Sequence, residues 1–248
     1  MTISNELTTT TPFWEQIKED VVSNLEQSIP AFEDETEEER KLRLNCALER
    51  ERHFVELVLN TLKEVLDKEK ELIILFDIDE TIAAQKIGPG GETKTIIRPS
   101  LPHLLEKIKE MTGGKARIGF ITSRDQKTLE DQLSKPEELE TISGHIDRSL
   151  IFSVRDMEMG DTSELARRIA LGEELQKIVN PQLVSNEPDF GSIIQEGDVV
   201  KLRKLEEIKK GNPKSNIVVV DDLPYPRFLD PGKNLFGISL GEKAGFFV

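Results

Sequence analysis

The sequence predicts an α/β fold in which helices cover both faces of a mostly parallel sheet, preceded by a helical extension. From residue 71 onward, short uninterrupted apolar runs alternate with segments of helical periodicity. Such runs are typical of strands that are buried on both faces. Residues 1–70 contain no run of this kind and carry an excess of acidic side chains. We therefore expect an acidic helical extension over residues 1–70 and an α/β domain over residues 71–248.

Two helices are predicted in the extension. The first begins at Thr11, because the following proline suits the first helical turn, and Pro30 ends it. A capping-box pattern at residues 36–39 opens a second helix that runs to Asp67. The second helix has an apolar seam that is interrupted by Glu51 and consists of Leu44, Leu48, Val55, Val58, Leu62 and Val65. We expect this seam to pack on the α/β domain and the extension to supply no catalytic group, with a dimer or a protein partner at these helices as the alternative.

The strand–helix alternation can be followed along the rest of the chain. Strands are predicted at residues 72–76, 116–121, 149–154, 217–220 and 235–240. Helices are predicted between them at residues 101–111, 163–179 and 202–210. Because strands separated by helices form parallel sheets, the carboxyl ends of these strands are expected to share one edge.

Composition and charge limit the classes of function. The chain has 248 residues and a formal net charge of -14, which argues against broad binding to nucleic acid or to an anionic membrane surface. A single cysteine, Cys46, excludes an intrachain disulfide. The first residues lack the apolar core of a signal peptide, and no run of about 20 apolar residues is present. We expect a cytoplasmic protein, and secretion that uses no such signal stays open.

Polar side chains follow three of the predicted strands. Four of them are aspartates, and carboxylates that meet at one sheet edge repel one another unless a cation joins them. A hard cation with oxygen ligands, such as Mg²⁺, is the expected solution. The polar residues are Asp77, Asp79 and Thr81 after the first strand, Thr122, Ser123 and Arg124 after the second, and Asp221 and Asp222 after the fourth.

In this order, these residues resemble the signature motifs of the haloacid dehalogenase superfamily. Residues 77–81 match Asp-x-Asp-x-Thr, Thr122 matches the hydroxyl residue after the second strand, Lys201 matches the lysine of the third motif, and residues 221–222 match the acid pair. The resemblance covers about residues 71–240 and implies a Rossmannoid sheet and Mg²⁺-dependent cleavage of phosphate esters through an aspartyl-phosphate. Within that family, Asp79 favours a phosphatase, because the dehalogenases lack this acid.

The residue types also suit the chemistry of phosphate-ester cleavage. Asp77 is the candidate nucleophile, and Asp79 is the candidate general acid that protonates the leaving oxygen and then activates water. The hydroxyl of Thr81 is expected to orient Asp79. Thr122 is expected to donate a hydrogen bond to a phosphoryl oxygen, with Ser123 as the alternative.

Cations and a metal ion complete the predicted site. Lys201 is expected to neutralise the nucleophile and the phosphate together, with Lys204, one turn later, as the alternative. Arg124 is expected either to orient the substrate or to pair with the neighbouring acidic loop. The expected Mg²⁺ ligands are the carboxylates of Asp77, Asp221 and Asp222 and the backbone carbonyl of Asp79, and either member of the acid pair could bind the ion directly.

The size of the connections bears on the substrate. Only a flap around residues 87–91 and one helix separate Asp79 from Thr122, so a large cap domain is not expected and the site should be open. Residues 97–99, 200–205 and 220–224 are similar to the small carboxy-terminal-domain phosphatases, which act on phosphoserine in protein tails. Residues 122–124 and 201–203 depart from that pattern, and Thr-Ser-Arg is closer to phosphatases of nucleotides. A phosphoprotein, a small metabolite or a nucleotide therefore stays open as the substrate, and a partner-binding protein is the alternative from another class.

Overall fold

The computed structural model describes residues 11–29, 34–66, 70–87, 93–135, 139–154, 178–187 and 196–245. The predicted fold class is confirmed, because the chain forms a five-stranded parallel sheet flanked by helices and preceded by a helical region. In the described part of the chain, no helix has both the length and the apolar character needed to cross a membrane.

The elements follow one another in a regular order. The strands are β1 (Leu72–Phe76), β2 (Ala83–Ile87), β3 (Thr93–Ile97), β4 (Arg117–Thr122), β5 (Ile151–Ser153), β6 (Asn216–Asp221) and β7 (Leu235–Ser239). The helices are α1 (Thr11–Ser28), α2 (Glu37–Val65), α3 (Leu101–Thr112), α4 (Gln126–Ser134), α5 (Glu140–Ser143), α6 (Pro181–Ser185), α7 (Glu196–Gly211) and α8 (Gly241–Ala244). Short 3₁₀ turns lie at Arg148–Leu150, Tyr225–Phe228 and Pro231–Lys233.

The order of the strands places β1 at the centre of the sheet. The order is β5-β4-β1-β6-β7, and all neighbouring pairs are parallel. The chain builds β4 and β5 on one side of β1 and then returns to build β6 and β7 on the other side. This reversal leaves a crevice beyond the carboxyl end of β1, which is where ligands bind in open parallel sheets.

Alternate residues of β1 serve two separate apolar clusters. Ile74 and Phe76 pack in a cluster that includes side chains of α1 to α5, whereas Ile73 and Leu75 pack in a cluster that includes side chains of α7. All five residues of β1 are buried. Coverage of both faces explains why the strand is a continuous apolar run.

Both predicted helices of the extension are present. At the start of α2, the backbone N–H of Glu39 donates to Thr36 Oγ1 at 3.3 Å, and the backbone N–H of Thr36 donates to the Glu39 carboxylate at 2.9 Å. The predicted capping box is therefore confirmed. In the seam, Val55, Val58, Leu62 and Val65 are buried, and Leu44 and Leu48 are partly buried. Helix α2 contacts β6, β7 and α8, so the seam packs on the sheet, as the sequence predicts.

Glu51, which interrupts the seam, is a buried charge with specific partners. Its carboxylate forms an ion pair with Arg98 at 3.4 Å and accepts the backbone N–H of Ser100 at 3.0 Å. Both charged side chains are almost completely buried. The Arg98 guanidinium also lies 3.9 Å from the centre of the Phe54 ring and donates to the carbonyl of Ala244. The long helix is thus joined to the segment after β3 and to the end of the chain.

Some local predictions differ from the structure. The third predicted strand begins late, because Asp147 accepts the backbone N–H of Ser149 at 2.9 Å and starts a 3₁₀ turn before β5. The antiparallel hairpin of β2 and β3 was not predicted, and it flanks the predicted flap. Residues 88–91 of that flap lie outside the described residues, as do residues 163–177 of the predicted helix. The division at residue 70 and a dimer or protein partner at the extension stay predictions.

Candidate active site

The first part of the site is the tight turn after β1. The backbone N–H of Asp77 donates to the carbonyl of Val220 at 2.8 Å, which continues the pairing of β1 with β6. The N–H groups of Ile82 and Ala83 both donate to the carbonyl of Ile78, at 3.0 and 2.9 Å. Within this turn, Glu80 has a φ of 58°, a left-handed conformation that is costly for a residue other than glycine. Such strain is frequent at functional sites.

Four charged side chains meet at the carboxyl edge of the sheet. Oxygen atoms of Asp77, Asp221 and Asp222 all lie within 4.8 Å of one another. The Nζ of Lys201 is 3.1 Å from Oδ1 of Asp77 and 2.7 Å from Oδ2 of Asp221. Lys204, the alternative to Lys201, instead forms an ion pair with a glutamate of its own helix at 2.8 Å. The structure therefore brings Lys201 into the cluster and leaves Lys204 outside it.

Burial and mutual charge shift the titration of the cluster. Burial has the largest influence on Asp77, Lys201 opposes it and Asp221 adds to it, and the balance raises the pKa of Asp77 to about 7. Burial and the neighbouring Asp221 raise the pKa of Asp222 to about 6. Burial would lower the pKa of Lys201, but the carboxylates of Asp77 and Asp221 outweigh it and raise that pKa above its usual range. The lysine is thus held as a cation beside Asp77, whose carboxyl ionises less readily than that of an ordinary aspartate.

Asp221 is held by donors on several sides. Its Oδ2 accepts the hydroxyl of Tyr225 at 3.0 Å as well as Lys201, and its Oδ1 accepts the backbone N–H of Leu223 at 3.0 Å. Burial, followed by the charge of Asp221, raises the pKa of Tyr225 well above its usual value, so the phenol keeps its proton. The turn that carries Tyr225 lies against β7 at Gly237, where a Cβ would collide with the carbonyl of Pro226.

Thr81 supports Asp222 instead of Asp79. The backbone N–H of Asp222 donates to Thr81 Oγ1 at 2.9 Å, and the hydroxyl of Thr81 lies 3.2 Å from Oδ1 of Asp222. The prediction that Thr81 orients Asp79 is therefore wrong for this structure. The reason is the tight turn after β1, which buries Thr81 toward β6 while the side chain of Asp79 stays 42% exposed.

Asp79 is paired with Arg124. The Nε of Arg124 lies 3.1 and 3.0 Å from the two carboxylate oxygens of Asp79, and its Nη2 lies 2.5 Å from Oδ1. Arg124 also donates from Nη1 to Oε1 of Gln132 at 2.6 Å. Of the two roles predicted for Arg124, the structure favours pairing with the acidic loop.

The hydroxyl residues after β4 differ in their surroundings. Thr122 is fully buried, and its Oγ1 accepts the backbone N–H of Arg124 at 3.3 Å. That bond uses a lone pair of the hydroxyl and does not use its proton. Ser123 is exposed. Thr122 as the donor to a phosphoryl oxygen, with Ser123 as the alternative, stays a prediction.

The donor set suits a magnesium ion. Mg²⁺ binds through oxygen ligands and is usually held by one or two protein carboxylates that leave the other positions to water and substrate. Asp77, Asp221 and Asp222 offer such oxygens within bridging distance of one another. Asp222 accepts one bond from Thr81, whereas both oxygens of Asp221 already accept protein donors. Asp222 thus has more acceptor capacity for a cation than Asp221.

Comparison with protein-family models, with curated proteins and with solved structures finds no match to this chain. The resemblance to the haloacid dehalogenase superfamily therefore stays an expectation that rests on the motif residues of the sequence.

Sequence reasoning missed three polar side chains beside the site. Tyr225 holds Asp221, Gln132 holds Arg124, and Thr95 in turn accepts a bond from Gln132 at 3.3 Å. Tyr225 follows the acid pair closely and could have been considered on that ground. Nothing in the sequence singles out Gln132 or Thr95, because they reach the site from a helix and a hairpin whose placement depends on tertiary packing.

Proposed function

We propose that this protein is a magnesium-dependent phosphomonoester hydrolase that works through an aspartyl-phosphate on Asp77. The observation that carries the proposal is the contact of Lys201 with both Asp77 and Asp221 at the carboxyl edge of the sheet. A lysine beside the proposed nucleophile suits phosphoryl transfer, because the transferring group is strongly negative.

In the first half of the reaction, a carboxylate oxygen of Asp77 attacks phosphorus and the bond to the leaving oxygen breaks. Asp79, whose side chain faces solvent two residues further on, donates a proton to that oxygen. Lys201 keeps positive charge beside the attacking carboxylate, and the hydroxyl of Thr122 can donate to a phosphoryl oxygen. In the second half, Asp79 takes a proton from water, which attacks phosphorus and releases inorganic phosphate and free Asp77.

A bound Mg²⁺ would neutralise charge on the phosphoryl oxygens. Asp77 and Asp222 are the proposed carboxylate ligands, together with the backbone carbonyl of Asp79. Asp221 is proposed to support them from behind, since Lys201, Tyr225 and Leu223 already use its oxygens.

The exposure of Asp79 supports a site that accepts an accessible phosphate ester. The proposed substrate class is therefore an accessible phosphate ester, carried by a protein, a small metabolite or a nucleotide. The alternative, a partner-binding protein that acts through the extension, has weaker support among the described residues. Among these residues, the apolar side chains of α1 and α2 pack in the same core as side chains of the sheet.

The proposal is tested with a panel of phosphopeptides, nucleotides and sugar phosphates, each assayed with Mg²⁺ for release of inorganic phosphate. Wild type is compared with Asp77→Asn, a nearly isosteric change, and with Asp131→Asn, which alters an exposed acid on α4. We expect hydrolysis of at least one class by wild type and by Asp131→Asn, and none by Asp77→Asn. Hydrolysis that persists in Asp77→Asn would refute the assignment.

A further inference from the structure

The strongest unassigned feature is a chain of polar side chains behind Asp79. It runs from Asp79 to Arg124, from Arg124 to Gln132, and from Gln132 to Thr95 on strand β3. Arg124, Gln132 and Thr95 are each no more than 8% exposed, whereas Asp79 is partly exposed. A buried polar chain of this kind is costly unless its members satisfy one another, and here each is hydrogen-bonded to the next.

The geometry of Arg124 shows how Gln132 could influence the orientation of Asp79. One edge of the guanidinium, formed by Nε and Nη2, faces the carboxylate of Asp79. The other edge, at Nη1, donates to Gln132 at 2.6 Å. Because a guanidinium is planar and rigid, fixing one edge fixes the direction of the other. Gln132 therefore determines how Arg124 presents its fork to Asp79.

Gln132 is itself fixed from two directions. It belongs to α4, whose N-cap is Asp125, and the carboxylate of that residue accepts the backbone N–H of Thr128 at 2.9 Å. Its amide nitrogen donates to Thr95 Oγ1 on the hairpin. The hairpin is joined at its base to the turn that carries Asp79, since the backbone N–H of Arg98 donates to the carbonyl of Ile82 at 2.9 Å.

We propose that Gln132 and Arg124 are positioning residues for Asp79, and that they link the orientation of this acid to the β2–β3 hairpin. The inference rests on the proposed function, because it assigns Asp79 the role of general acid. In that role, Asp79 must keep one oxygen directed at the leaving group, and small misplacements of a catalytic group cost large factors in rate. Arg124 thus acts on the acid and not on the substrate phosphate.

The test is a comparison of two classes of ester, because only a poor leaving group needs a proton from Asp79. An alkyl phosphate and a dinitrophenyl phosphate are assayed with Mg²⁺ for wild type and for Gln132→Leu, which removes both hydrogen bonds at similar volume. We expect kcat/KM for the alkyl ester, which reports formation of the aspartyl-phosphate, to fall about 10-fold or more, with kcat/KM for the activated ester changed less than about 3-fold. Gln132→Glu, which keeps an acceptor for Arg124, should recover most of the alkyl-ester rate.

Three further variants extend the test, and two of them control for misfolding and general damage. Gln126→Leu changes a glutamine on the exposed face of α4, where it pairs with Glu130, and should leave both rates unchanged. Arg124→Lys loses the planar fork and should also lower the alkyl-ester rate selectively. Arg117→Lys, at the opposite end of β4, is its matched control, since that arginine pairs with Asp147.

The outcomes separate this inference from the proposed function. If Gln132→Leu and Arg124→Lys lower both ester rates equally, or lower neither, the positioning role is overturned while hydrolysis dependent on Asp77 still stands. If wild type hydrolyses neither ester in a manner that depends on Asp77, the proposed function fails and the inference fails with it. A selective loss in both variants, with recovery in Gln132→Glu, supports the positioning role.

Discussion

Lys201 lies within hydrogen-bonding distance of both Asp77 and Asp221, at 3.1 and 2.7 Å. The three side chains come from α7 and from the ends of β1 and β6, so the contact exists only when the parallel sheet and its helix are assembled. The same lysine is 5% exposed, and its ammonium depends on these carboxylates for compensation. Removing any one of the three should therefore affect the other two.

The first prediction concerns this lysine. Lys201→Met keeps the length of the side chain and removes the charge, and it should lower kcat/KM by about 100-fold or more, since the transferring phosphoryl group loses its neighbouring cation. Lys204→Met, on the same helix, removes a lysine that pairs with Glu207 and should change kcat/KM less than about 3-fold. Steady-state kinetics at saturating Mg²⁺ measures both. Equal effects of the two variants would contradict the assignment.

The second prediction concerns the metal. EDTA should abolish hydrolysis and Mg²⁺ should restore it, while Ca²⁺ should support it poorly because its looser coordination misplaces the nucleophile and the phosphate. Asp222→Asn should raise the Mg²⁺ concentration that gives half-maximal rate by about 10-fold or more, because it replaces a proposed carboxylate ligand with an amide. A Mg²⁺ titration of the rate measures this effect, with Asp131→Asn as the control. Full activity in chelator would show that hydrolysis does not depend on a metal ion.

The third prediction concerns stability without metal. The folded chain raises the pKa of Asp77 to about 7 from an ordinary value of 3.8, so the folded state binds this proton more tightly than the unfolded state does. Wild type should therefore lose stability as the pH rises through this window, whereas Asp77→Asn has no proton to lose there. In chelator, the melting temperature of Asp77→Asn should exceed that of wild type at about pH 8, and the difference should shrink toward about pH 4.

Thermal unfolding of the two proteins across this pH range measures the effect. Asp131→Asn, which alters an exposed acid on α4, should follow wild type throughout. A difference between wild type and Asp77→Asn that does not change with pH would mean that burial does not perturb Asp77 as described.

The fourth prediction concerns the buried pair of Glu51 and Arg98, which joins the extension to the segment after β3. Glu51→Gln leaves the Arg98 cation buried without its counter-charge, and it should lower the free energy of unfolding by about 3–5 kcal/mol. Glu56→Gln breaks a more exposed pair with Arg52 on the same helix and should cost less than about 1 kcal/mol. Urea unfolding measures both, and similar costs for the two variants would show that the buried pair has no special role.

The elements that the sequence predicted correctly are those in which a local sequence pattern agrees with the tertiary contacts. The apolar run of β1 predicts a strand because both faces are buried, and the pattern at residues 36–39 predicts the start of α2 because both capping bonds form. The hairpin of β2 and β3 was missed, since its short strands carry mixed polar and apolar residues. The 3₁₀ turn before β5 was also missed, because it depends on the side chain of Asp147.

The site residues that follow strands could be predicted from the sequence. Residues whose contacts depend on how helices and turns pack could not. Asp77, Asp221 and Asp222 follow apolar strands, so topology alone brings them together. The predicted partner of Thr81 was wrong, because the turn at Glu80 sets the direction of the Thr81 side chain. The left-handed backbone of Glu80 could not be predicted from the sequence. Gln132 gave no signal at all, since its place behind Arg124 depends on the position of α4.

Chemical trapping tests most directly whether an aspartyl-phosphate forms on Asp77. Wild-type protein turning over a dinitrophenyl phosphate with Mg²⁺ is quenched and treated with borohydride, which reduces an aspartyl-phosphate to homoserine. Mass spectrometry of the digested protein then locates the modified residue. We expect homoserine at position 77, at a level that increases in Asp79→Asn because water is activated more slowly. Trapping at another residue, or continued turnover with Asp77 unmodified, would contradict an aspartyl-phosphate on Asp77.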